Sequence, residues 1–300
     1  MNKIKKLVAT LTVLGIMCLN YNNVHAKEIY YSNERGVELS YEEYSEITKY
    51  IDSDKLKLFS QEEIDYLYSH ISENGIETDV KYVKTTYVNE IITNECYVTE
   101  KDMIDSFNVI NIPVQVRYLS VDDRYDSVQT TMKKISMSMY SVAPSAKKVS
   151  ITCEWLSLPI TRTYDVIAFR VDQPATFYLP EYEEDVYGYQ YYDGDVIKYH
   201  AGCENIKTFS NGIGISMNIV NSVSTSLKME FATNIGSGAD PLTVYGTYQH
   251  SVDDITLHTS QRYSLSASGM GGVLKFNSSS VANHFDNTPG LCVTGSLYDE

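Results

Sequence analysis

Residues 178–199 read YLPEYEEDVYGYQYYDGDVIKY, the densest concentration of tyrosine and acid in the chain. Tyr187, Tyr189, Tyr191 and Tyr192 offer flat rings with hydrogen-bonding tips, suited to glycans or protein partners. Asp193-Gly194-Asp195 sets two carboxylates on a turn beside them. Oxygen-rich turns can bind calcium, but two acids are fewer than that ion takes and the EF-hand pattern is not completed. These six residues form the candidate ligand-binding set, and the competing reading is a solvated acidic loop with its tyrosines lying on a sheet.

Other chemistry-bearing residue types are scattered. His70, His200, His250, His258 and His284 show no local ligand spacing. His200, His250 and His258 would be the set to hold a metal, but neither a metal nor any other cofactor is expected. The chain has no G-x-S-x-G elbow, no H-E-x-x-H, no Walker loop and no dinucleotide fingerprint. Gly269-Met270-Gly271-Gly272 is followed by strand-like rather than helical sequence, so it reads as a hairpin or bulge and not as a phosphate cradle. No spacing singles out a carboxylate pair for glycoside cleavage. No catalytic residue is assigned, and the chain is expected not to be an enzyme.

The elements that position these residues begin after a basic start, MNKIKK, and an apolar run from Leu7 to Leu19 that is too short to anchor in a bilayer. Val24-His25-Ala26 fits the small-x-small cleavage rule, so residues 1–26 read as a secretory signal and the product as extracellular. Cys18 is a weak lipidation site, because Met17 stands where a small residue is wanted. No later stretch is long and apolar enough to span a membrane. The formal net charge is −15, and losing Lys3, Lys5 and Lys6 with the leader takes it to −18. Such a surface repels phosphate backbones, which excludes nucleic acid as a partner, and anionic headgroups as well. Past the leader, Cys96, Cys153, Cys203 and Cys292 are an even set that suggests up to two disulfides in any of three pairings. Alternatively Cys153 is a small apolar residue in a core.

Residues 27–105 hold 19 acidic against 8 basic side chains and form an acidic helical module. Ser40 with Glu43, and Ser60 with Glu63, are capping boxes ahead of Tyr44, Ile47, Ile51 and of Ile64, Leu67, Tyr68, Ile71 at helical spacing. From Glu77 to Val98 the pattern is mixed, irregular with a strand or two. Residues 106–300 alternate as strands: Ile112 to Tyr118, Ile135 to Met139, Val149 to Trp155, Tyr164 to Val171, Ile213 to Ile219, Leu227 to Phe231, Val244 to Tyr248, Ile255 to Leu257, Tyr263 to Leu265 and Val273 to Phe276. Leu158-Pro159 bends the chain between two of these, and Asn211-Gly212 signals a hairpin. Turns every eight to twelve positions predict an antiparallel β-sandwich of jelly-roll or Greek-key type behind the helical module.

The run Trp155-x-x-x-Pro159-x-x-Arg162-Thr163-Tyr164-Asp165-Val166-Ile167-Ala168, with Tyr245 to His250, Gly269 to Val273 and Asn33 to Val37, resembles a group of exported proteins of low-GC Gram-positive bacteria. That resemblance implies export and carries over no site residue. The layout is more loosely similar to closticin-type clostridial bacteriocin precursors, which release an active C-terminal piece. Residues 219–300, with three basic and seven acidic side chains, lack the positive charge that helps peptides attack anionic membranes. The expectation is thus a secreted, non-enzymatic binding or effector protein that meets an extracellular protein, a glycan or a target-cell surface. The alternative is a bacteriocin precursor.

Overall fold

The structure, a computed structural model, describes residues 28–70, 77–88, 91–102, 128–172, 175–178, 186–237, 241–266, 273–286, 288 and 290–295. The leader expected over residues 1–26, the strand expected over Ile112 to Tyr118 and the glycine run 269–272 lie outside them. The described chain is mainly β, with antiparallel sheets, and divides by contacts at Ile64/Asp65.

In the first unit, β1 (Tyr31–Ser32) pairs with β2 (Glu38–Leu39) around a turn that Gly36 closes at φ 79°. The Asn33 side chain fastens this turn. Its oxygen accepts from the Arg35 and Val37 amides at 2.8 and 3.1 Å, and its amide donates to the carbonyls of Leu56 and Phe59. Helix α1 (Tyr41–Ile47) follows with the expected Ser40–Glu43 capping box complete. A 3₁₀ turn spans Ser53–Leu58, and Ser60 and Glu63 make the second reciprocal cap at the start of α2 (Gln61–His70), which runs across the division. Each box satisfies amides that a helix start leaves without partners. Val37, Leu39, Ile47, Ile51, Leu56, Phe59 and Ile64 are buried.

The second unit is built of strands. It begins with β3 (Glu77–Val88) and β4 (Ile91–Val98), a hairpin where the sequence suggested mostly irregular chain within the acidic module. Lys81, Lys84 and Thr86 mask the alternation, while Val83, Thr85 and Tyr87 supply a buried face. Next come β5 (Val128–Ala143) and β6 (Ala146–Ser157), joined by a tight turn at Pro144-Ser145. The bend at Leu158-Pro159 then hands the chain to β7 (Tyr164–Val171) in a different sheet. β8 (Ala175–Tyr178), β9 (Val186–Tyr192) and β10 (Asp195–His200) return to the first sheet, and β11 (Ile206–Phe209) and β12 (Gly212–Asn218) to the second. β13 (Leu227–Ser237) lies in the first sheet and β14 (Leu242–Gln249) in the second.

A one-turn helix, α3 (Leu257–Ser260), stands where alternation suggested a strand over Ile255 to Leu257. Thr256 accepts from the Thr259 amide and turns the chain helical there, a local cap that an apolar-alternation reading overlooks. β15 (Tyr263–Leu265) pairs with β16 (Leu274–Phe276), then α4 (Ser279–Ala282) leads to β17 (Leu291–Gly295) beside β14.

The eight-stranded sheet runs β10-β9-β13-β6-β5-β3-β4, with β8 also on β13, and the five-stranded sheet runs β11-β12-β7-β14-β17. Ile135, Met137, Val149, Ile151 and Phe231 of the first sheet and Ile167, Phe169, Ile213, Ile215 and Val244 of the second are members of one buried cluster. Strand β7 has no polar face because Val166, on its other side, packs in a second cluster with Ile255, Tyr263, Val281 and Phe285. Burial on both faces is what its unbroken Val166-Ile167-Ala168-Phe169 run encodes.

Candidate functional site

From Val186 onward the tyrosine and acid window forms the β9–β10 hairpin at one end of the large sheet, while Tyr178 ends β8 and residues 179–185 lie outside the described set. Asp193 and Gly194, at φ 48° and 95°, make the two-residue turn that Asp-Gly favours, with Tyr192 opposite Asp195. Asp193 faces the chain rather than a ligand. Its carboxylate accepts from the amides of Ser224, Thr225 and Ser226 at 2.7, 2.8 and 3.1 Å and from the Ser224 and Thr225 hydroxyls at 3.0 and 2.5 Å. The Thr225 hydroxyl, then the Ser224 amide, hold this carboxyl well below the usual range. Tyr189 is buried and stacks on the half-buried Tyr191 at 5.8 Å, with the Lys228 ammonium over the Tyr191 ring. Tyr192 is half-buried and packs against the core, and Asp195 is exposed. Tyr187 lies on β9, its side chain outside the described set.

A second aromatic surface belongs to the first unit, and the sequence reading passed over it. Tyr30 stands 5.0 Å from both Tyr41 and Tyr44, and Tyr31 lies 5.6 Å from Tyr44. Tyr30 is 57% and Tyr41 66% exposed, so this cluster presents ring faces and hydroxyls to solvent. Its signal in the sequence is four tyrosines within residues 30–44, of which only Tyr44 is placed above, at helical spacing with Ile47 and Ile51. The capped start of α1 places Tyr41 and Tyr44 three residues apart on one helix face, and the β1–β2 turn brings Tyr30 and Tyr31 to it.

The second unit encloses a chain of polar side chains that no local spacing announced. Asp165 on β7, fully buried, accepts from the Tyr248 hydroxyl, from the Ser251 amide at 2.9 Å and from His250 Nδ1 at 3.0 Å. Trp155 Nε1 donates to the Tyr248 oxygen at 3.0 Å, and the indole meets the His250 ring edge-on at 4.7 Å. Asp286 accepts from the His250 amide at 2.9 Å and from the Thr288 hydroxyl at 3.0 Å, and it pairs with the Lys133 ammonium. His250 Nε2 is buried with no hydrogen-bond partner among the described residues. A general base must reach the proton it takes. Here Asp165 and His250 are 0% and 1% exposed, so neither side chain meets solvent.

Of the three histidines weighed as a metal set, His250 is buried in this network while His200 and His258 are exposed, and the described residues hold no group of three or more His, Cys, Asp or Glu placed to grip an ion. The four cysteines are free, which corrects the expectation of disulfides. Cys153 is buried on β6 in the hydrophobic cluster, paired with Ile135 and Met229 on the neighbouring strands, as the alternative reading of it had it. Cys96 is on β4, Cys292 on β17 and Cys203 after β10, each half-buried. Leaving Cys18 aside, a thiol reagent is expected to label three cysteines in the native protein, with Cys292 slow because burial pushes its thiol up, and Cys153 only after unfolding. Fewer than four labelled after denaturation would contradict this.

Burial raises the phenols of Tyr199, pushed up to about 12, and those of Tyr248 and Tyr263 as well. Because their folded-state values exceed the ordinary 10.0, their stabilising contribution is whole below that pH and falls as pH climbs from there through the folded value. Alkaline titration followed by phenolate absorbance should therefore show an early exposed class and a late class that ionises together with loss of tertiary structure. A single class would contradict these burials.

No protein-family model matches the chain, and no curated protein matches it either.

Proposed function

We propose that the chain is an exported binding protein without catalytic function, which meets an extracellular protein or glycan through exposed tyrosines. The observation that carries this reading is the Tyr30–Tyr31–Tyr41–Tyr44 cluster, whose two outer rings are more than half exposed. Tyrosine gives large contact area and a polar tip at low cost in side-chain freedom, which is why it is enriched in recognition surfaces. The β9–β10 hairpin, with Tyr191, Tyr192 and Asp195, is a second contact surface on the other unit.

The architectural part of the reading is a sandwich of Greek-key type, supported by the shared core cluster and by a chain that alternates between the two sheets. That arrangement also favours an intact protein over a bacteriocin precursor. Release of residues after Ile219 would withdraw β13 and β14, both interior strands, from the two sheets.

Glycan arrays and surface pull-downs with the secreted chain test the proposal. Tyr30→Ser with Tyr41→Ser should abolish capture, and Tyr191→Ala with Tyr192→Ala should weaken it. Capture that neither pair alters, or an inhibitory C-terminal fragment as the stable product in culture supernatant, would overturn it.

A further inference from the structure

Lys133 on β5 and Asp286, just ahead of β17, meet inside the second unit although 153 residues separate them. Both side chains are 1% exposed. The Lys133 nitrogen sits 5.2 Å from the centre of the Trp155 ring and 5.3 Å from that of Tyr248, so its surroundings are aromatic and dry. Asp286 is gripped unevenly. Oδ1 accepts from the His250 amide and the Thr288 hydroxyl, whereas Oδ2 faces the Lys133 ammonium.

We propose that Lys133 and Asp286 condense into an intramolecular amide, a covalent staple between β5 and the segment that enters β17. The reaction balances within the pair. An ammonium and a carboxylate together become an amide and one water, with no oxidant, metal or co-reactant. Two of the three ammonium protons pass to Oδ2 along the hydrogen bond that already joins the groups. Nζ attacks Cγ, the Cγ–Oδ2 bond breaks, and Oδ2 leaves as water, while the third proton stays on the amide nitrogen. Oδ1 becomes the amide oxygen, and the two donors already on it are placed to stabilise the negative charge it bears in the tetrahedral intermediate. The fold supplies what this step lacks in solution, namely contact between the groups and exclusion of bulk water.

The test is the intact mass of the denatured, purified chain, compared with the mass calculated from its own N-terminus. The expected result is a deficit of one water, with protease digestion yielding a branched peptide that joins the segments around Lys133 and Asp286. Lys133→Met should restore the full mass, and because the readout is made on denatured protein it holds whether or not that variant folds. Asp286→Asn should lose ammonia in place of water, since the leaving group is then the amide nitrogen. A wild-type chain at its full calculated mass would overturn the proposal and leave the pair as a buried salt bridge. A deficit that persists in Lys133→Met would overturn it as well.

Discussion

Asp165→Ala is expected to cost about 3–5 kcal/mol, enough to consume much of the roughly 5–15 kcal/mol that holds a typical domain folded. The carboxylate is the acceptor on which three donors converge: the Tyr248 hydroxyl, the Ser251 amide and His250 Nδ1. None of them can turn to water, because Tyr248, His250 and Ser251 are all buried. Losing the acceptor leaves each with its desolvation penalty and no compensating bond. The damage should spread, since Trp155 hydrogen-bonds through Tyr248 and His250 also anchors Asp286 by its amide. Asp165→Asn keeps the shape but turns one acceptor into a donor facing donors, for a smaller loss of about 1–3 kcal/mol. Urea denaturation of the three proteins measures both. Midpoints for Asp165→Ala within a few tenths of a molar of the parent would refute the role assigned to the network.

Gly212→Ala is the second large effect, and it arises from space alone. A Cβ there would land on the carbonyl oxygen of Phe169 and 3.1 Å from Arg170 Cα, so β12 could accept it only by moving off β7. The obstacle is backbone, which cannot swing aside as a side-chain tip can. We expect a loss of about 3 kcal/mol, at the upper end of what overpacking usually costs. Gly194 gives the opposite case, with open space around its missing Cβ and φ 95° as its one constraint. Asparagine, which tolerates left-handed backbone, should cost far less at Gly194 than alanine at Gly212. Equal thermal melting shifts for the two variants would contradict the close approach of β7 and β12.

Gly212 also shows how the sequence informs and misleads at once. Asn211-Gly212 marks a hairpin, and β11 and β12 do form one, yet the turn falls on Ser210 and Asn211 and the glycine serves the neighbouring strand. Strands with one apolar face, such as Ile213 to Met217 and Leu227 to Phe231, were legible because alternation is a local property of the chain. So were the two capping boxes, each contained in four residues. The β3–β4 hairpin was not, because charged residues interrupt its pattern and its buried face is supplied by partners far along the chain. The helical turn after Thr256 was missed for the opposite reason: its cap is local, but it sits in sequence that alternates like a strand.

The candidate site divides in the same way. Aromatic density was visible around Tyr191, but which rings face solvent depends on packing, and Tyr189 proved buried while Tyr41 proved exposed. The bonds of the Asp165, His250, Tyr248, Lys133 and Asp286 network join residues 36 to 153 positions apart, separations across which spacing carries no signal. The cysteines looked like a disulfide set because parity is countable in a sequence, whereas the burial of Cys153 in the core cluster is not.

Residue-resolved hydrogen exchange on the native chain tests the central proposal, that two antiparallel sheets close over one core around this polar network. The slowest amides should be those of β6, β7, β13 and β14 together with Ser251, exchanging in one cooperative event, while the Asp193-Gly194 turn exchanges early. Protection confined to one sheet, or strand amides as fast as that turn, would contradict it.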